Sequence, residues 1–331
     1  MQNKVCKLMA MAVLSTGLSA IAGAQTVKTT IPFIFAPQGI AVNPVTNKIY
    51  VAAPNNQTQP TDSVAVIDGS TDTLSGSLSV PEGVSSVTVD YVANRIYAGG
   101  CNYTQTPVLC TVTVFDGKSN ALLKTIQVTT TPGFGIAGLA ANPVTGLVYV
   151  ANGSDNVINI IDGCKLKLAG SISLPGISPA AIAVNPVKNL LYVPSGSDVV
   201  DVVDASAKKV IATSMVGENT VGAAVNLVNG HVFITDQENS GPSEVDVLNA
   251  KGGLLASATV DDAPLGVDVD PITNLAFVAS TAEDDVTVID GSNNTVKDVV
   301  LSVPASYIAV NFVTQKVYVS GRNGVMVLTE K

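Results

Sequence analysis

The stretch G-L-V-Y-V-A-N-G-S-D-N-V-I-N-I-I-D-G, residues 146–163, decides the fold. An apolar strand centred on Tyr149 runs into a polar turn, a second Val/Ile-rich strand follows, and Asp162-Gly163 ends it in a sharp turn. Imperfect copies fill the chain. The central aromatic returns as Tyr50, Tyr97, Tyr149, Tyr192, Phe233, Phe277 and Tyr318, at spacings of 47, 52, 43, 41, 44 and 41 residues. A period in the forties that holds several short strands is the mark of a propeller blade.

Each period divides into four strands, a to d, by its turn chemistry. Strand a, as in Gly39-Ile40-Ala41-Val42, ends in the turn Asn43-Pro44-Val45-Thr46-Asn47, which returns at residues 90–94, 142–146, 185–189, 226–230, 270–274 and 311–315. The leading Asn or Asp can accept hydrogen bonds from the following backbone, Pro presets the next φ, and a final Asn or Gly tolerates the left-handed region. Strand b carries the aromatic (Lys48 to Ala52), strand c follows (Ser63 to Ile67), and the outer strand d is less apolar (Thr73 to Val80). Strands a and b are apolar on both alternations, as sheets sandwiched between neighbours require. Seven copies predict an all-β, seven-bladed propeller of four-stranded antiparallel blades. The last copy lacks a d strand, and Thr26 to Ile34 fits its place, which would close the ring and remove an open edge.

Residues 1–24 read as a signal peptide: Lys4 and Lys7 precede an apolar stretch from Leu8 to Ala22 that ends in Ala22-Gly23-Ala24. Residues 25–331 then form one propeller domain, expected to be an extracytoplasmic monomer with no membrane span after cleavage. A formal net charge of −9 counts against nucleic-acid partners. In an oxidising compartment Cys101 and Cys110 are expected to close a loop as a disulfide, with Cys164 left free.

The seven copies resemble the YVTN-repeat β-propeller proteins, whose tetrapeptide stands here as Tyr149-Val150-Ala151-Asn152 and varies to Tyr50-Val51-Ala52-Ala53. The resemblance covers residues 25–331 and implies an exported or cell-surface protein. Similar propellers include sugar-lactone hydrolases and an antibiotic lyase, which place His, Glu or Arg around the channel mouth. This chain has one His, and repeat alignment puts His231 at the far end of an a–b hairpin, so that pattern is not carried over.

There is no Trp to stack on a quinone, no C-x-x-C-H haem site, no phosphate-binding loop and no His cluster for zinc, so no cofactor is expected beyond a candidate Ca2+. The b–c and d–a loops are strongly acidic. Asp236, Glu238, Asp261, Asp262, Glu283, Asp284 and Asp285 crowd the loops of blades five and six and are the candidate metal ligands. Arg322 is the main basic residue at that end. In the a strands, Asp268 stands in a column of Ala and Thr, and Tyr307 in a column of Gly, Ser and Ala. Asp268, Tyr307 and Arg322 are therefore the candidate ligand-binding residues. The expected function is a binding or interaction module for a small-molecule ligand or a protein partner, working through the acidic loop face. The alternatives are a channel-mouth hydrolase or lyase, and a structural surface protein.

Overall fold

The five-residue turns set the blade geometry. At Asn47, Asn94, Asn189, Asn274 and Gln315 the last turn residue has φ between 49° and 58°, and Gly146 and Gly230 take the same left-handed region without a Cβ. The leading residue accepts from the turn backbone, as when Asn43 Oδ1 receives the N–H groups of Val45 (3.1 Å) and Thr46 (3.2 Å). Its amide also reaches sideways. Asn43, Asn142, Asn226 and Asn311 donate through Nδ2 to the side chains of Asn94, Asn189, Asn274 and Asn47 in the next blade, at 2.6–2.9 Å. This belt operates wherever the following turn ends in Asn.

The computed structural model describes residues 26–33, 36–54, 62–238, 241–283, 285–300, 305–322 and 324–329. These form seven four-stranded antiparallel sheets arranged as the blades of a propeller. Blade one is Ile40–Asn43, Lys48–Ala53, Ser63–Asp68 and Thr73–Ser79. Blade seven is Ala305–Asn311, Lys316–Gly321 and Gly324–Thr329, completed by Thr26–Pro32, which pairs antiparallel with Gly324–Thr329. Residues 1–24, read as a signal peptide, lie outside the described residues. Among the described residues no helix is long and apolar enough to cross a membrane.

The core lies between blades. Seven apolar clusters occupy the seven seams, and each repeat aromatic is fully buried in them. Burying such a ring contributes a few kcal/mol by area alone. The seam between blades seven and one resembles the others, with Ile31 of the N-terminal strand packed among Ile49, Val51, Ile67, Tyr318 and Val325. It also has a polar latch. Asp72, in the c–d turn of blade one, accepts from Lys28 Nζ (2.6 Å), Lys316 Nζ (2.8 Å) and Tyr318 Oη (3.2 Å), all on the blade-seven side.

Cys101 and Cys110 face each other across strands b and c of blade two and are joined by a disulfide. The expectation of a free Cys164 is corrected: that sulfur is disulfide-bonded as well. Cys164 is exposed in its turn, where a thiol is accessible to pairing.

Candidate functional site

Because six of the seven a strands place Gly, Ser or Ala at the ring axis, the axis stays open. The column Gly39, Ser86, Gly138, Ala181, Gly222, Gly266 and Tyr307 lines a cavity of about 830 Å3 at the end where the b–c and d–a loops gather. A second widening of about 260 Å3 lies toward the a–b turns, lined by Ala183, Ala224, Asp268 and Phe312 among others. Tyr307 and Asp268 thus line different cavities, and Arg322 is an exposed loop residue lining neither.

The wide mouth is topped by two aromatics that the repeat pattern does not mark. Phe134, in the loop entering blade three, is 82 % exposed, and Tyr103, in the b–c loop of blade two, is 58 % exposed. Both line the large cavity. Gly135, at φ +72°, lets the two loops meet: a Cβ there would lie 2.3 Å from Tyr103 Oη and 2.7 Å from Cys101 Sγ. The loop carrying Tyr103 is fixed by the disulfide at its base and by Glu82, whose Oε2 accepts from Asn102 Nδ2 (3.0 Å) and Gln105 Nε2 (2.9 Å). Gln38, Ser85, Asn102 and Thr104 supply polar groups to the lining. Among the described lining residues Asp62 is the one charged side chain, and no Lys, Arg or His is present.

Asp268 bridges two inner strands. Its Oδ1 accepts from Val269 N (2.9 Å) and its Oδ2 from Val310 N (2.8 Å) in blade seven, so the carboxyl ties two blades together. Burial pushes it up to about 6 against the pull of those two N–H groups. Asp236 is buried at the end of a b strand, where its Oδ1 accepts from Asn219 N (2.7 Å). Its Oδ2 and Glu238 Oε1 converge on Gly217, where a Cβ would fall 1.0 Å and 2.7 Å from them, so no side chain fits. A hydrogen bond shared with Asp236 raises the Glu238 carboxyl to about 7, with burial and the charges of Asp236, Glu218 and Glu244 adding to the rise.

Asp261 accepts from Thr287 Oγ1 at 3.4 Å, while Asp262 and Glu283 are exposed in their loops. Asp285 begins a c strand, and Asp284 lies outside the described residues. Among the described residues no three acidic, His or Cys side chains are grouped so as to hold a metal ion. His231 sits beside an a–b turn, its backbone N–H bonded to Asn229, away from the wide mouth. Polar side chains inside the c strands make structural hydrogen bonds: Asp201 accepts from Thr213 Oγ1 (2.6 Å) and Asn159 Oδ1 from Asn152 Nδ2 (2.9 Å).

These raised carboxyls give a pH dependence with a definite sign. A group that binds its proton more tightly folded than unfolded stabilises the fold at low pH, and that contribution fades as pH rises through the folded value. Asp268 acts between about pH 4 and 6, and Glu238 between about pH 4.5 and 7. The double variant Asp268→Asn/Glu238→Gln is expected to show a flatter melting temperature from pH 4.5 to 7.5 than the parent. Parallel profiles would mean that neither proton is held this way.

The fold and the open mouth define a seven-bladed β-propeller with a cavity at one end of its axis. Among solved structures the chain is similar to the Kuenenia stuttgartiensis hydrazine synthase, at 18 % identity and a TM-score of 0.72, over 91 % of this chain and 97 % of that one. At this identity the likeness concerns the fold alone. No family model matches the chain, and no curated protein sequence matches it.

Proposed function

We propose that the chain is an exported propeller of the YVTN-repeat type that binds a small molecule at the wide mouth of its channel. The observation carrying this reading is the pair Phe134 and Tyr103, held exposed over a cavity of about 830 Å3 on loops fixed by a disulfide and Glu82. Exposed rings cost solvation, and rings preset beside a concave site present a flat apolar surface with little left to order on binding. The lining selects by charge. With Asp62 as its one charged group and no basic side chain among the described residues, it suits an uncharged or cationic ligand with one apolar face and repels anions.

A hydrolase or lyase would need a nucleophile or an acid–base pair at reacting distance. The described lining offers Asp62, hydroxyls and tyrosines, and Asp268 lies in the other cavity, satisfied by two backbone N–H groups. No specific observation favours that reading over binding.

The test is a ligand-observed NMR screen of compact neutral, cationic and anionic compounds with an aromatic or alicyclic face. Hits are expected among the neutral and cationic compounds, with affinity falling tenfold or more in Phe134→Ala/Tyr103→Ala, about 1.4 kcal/mol. Hits confined to anions, or unchanged in the double variant, would overturn the reading.

A further inference from the structure

The opposite end of the ring carries a pattern that neither the fold nor the wide mouth uses. The third position of the five-residue turn holds Val45, Val92, Val144, Val187, Val228, Ile272 and Val313, one β-branched aliphatic side chain per blade. All seven are between 50 and 79 % exposed. Turn positions ordinarily favour Gly, Asn, Asp or Ser, so an aliphatic residue in all seven is against local preference. The turns do not need these side chains, because the backbone is held by the leading residue, as when Asp90, Asn142, Asn226 and Asp270 accept from the N–H groups of Val92, Val144, Val228 and Ile272 at 2.7–3.0 Å. The preceding position is apolar too, and Leu227, Pro271 and Phe312 carry the patch inward to the rim of the smaller cavity. Exposed apolar side chains repeated in every turn around one end of a folded protein mark a contact face.

We propose that this annulus is where a second copy of the same chain docks, turn end to turn end. Charge favours that partner. Carboxylates of this end are balanced by basic groups, Asp162 by Lys165 and Asp72 by Lys28 and Lys316, and Arg95, Lys118 and Lys188 are interspersed in the same turns. The surplus acid lies on the loops at the other end. Two chains of net charge −9 therefore repel least when their turn ends meet and their acidic ends point apart. Area agrees. The seven side chains expose on the order of 650 Å2, and with the inner apolar rim the patch approaches the ~800 Å2 per partner of a standard interface. Val and Ile are stiff and lose little rotamer freedom on packing, which suits a protein surface. A bilayer surface would call for projecting aromatic anchors, whereas Tyr91 and Phe312 of this ring are half-buried and the chain has no Trp.

The inference is independent of the small-ligand site at the other mouth. Sedimentation of the wild-type chain across concentration is expected to show a reversible monomer–dimer equilibrium, and Val144→Glu/Val187→Glu is expected to weaken it at least tenfold. These positions are exposed, so the variant should keep the circular dichroism of the parent. A fold-neutral readout stands beside it: lysine cross-linking of mixed light and heavy-isotope wild-type chains should join Lys188, next to Val187, to turn-end lysines of the other copy. A chain that stays monomeric, a dimer that ignores the double substitution, or cross-links between acidic-end loops would overturn the proposal, as would monomers that bind anionic vesicles through the same valines.

Discussion

Deleting residues 26–32 is expected to remove the fold's cooperativity. That strand supplies the fourth member of blade seven, pairing along its length with Gly324–Thr329, and it brings Ile31 into the seam cluster and Lys28 onto Asp72. Without it, Gly324–Thr329 becomes an open, apolar edge, a template for aggregation. The lost pairing and burial amount to 5 kcal/mol or more, on the order of a domain's whole stability. Urea unfolding, with light scattering to follow aggregation, measures this. A truncated protein with the parent's midpoint would mean that the ring does not depend on its N-terminal strand.

The second large effect is expected at Asp72, the acid of the polar latch. Its side chain is 2 % exposed and that of Lys316 12 %, so Asp72→Ala would strand a nearly buried ammonium while loosening the seam. Breaking such a pair from one side costs about 3–5 kcal/mol, whereas replacing both partners with apolar groups costs far less. Asp72→Ala should therefore lower the unfolding free energy by about that amount, and Asp72→Leu/Lys316→Met should recover part of it. Burial alone would raise the Asp72 carboxyl, but the hydrogen bonds from Lys28 and Lys316 outweigh it and hold it below the usual carboxylate range. Its stabilisation is therefore present above about pH 4 and lost as pH falls further. A single variant as stable as the parent at pH 7 would remove Asp72 from the account of closure.

The blades were legible because their signals are local: a strand period, a turn with Asn or Gly where the left-handed region is needed, and a buried aromatic at one register. The latch was not. Asp72 reads as an ordinary turn residue with φ +55°, and its partners lie 44, 244 and 246 positions away. Asp268 stood out in its column, but its role depends on the N–H of Val310 in the next blade, a contact that needs the ring to be built. Phe134 and Tyr103 escaped for the opposite reason. They sit in irregular loops that have no counterpart in the other repeats, and only the meeting of two blades over the cavity gives them a common face.

The most direct test of binding at the wide mouth is fluorine NMR on protein labelled with fluorophenylalanine. Seven phenylalanines give a sparse spectrum, and Phe134 stands apart from the buried Phe115, Phe233 and Phe277. Adding a ligand from the screen should shift the signal that disappears in Phe134→Leu and leave the buried three in place. A ligand that binds without moving that signal would contradict the assignment of the wide mouth as the working face.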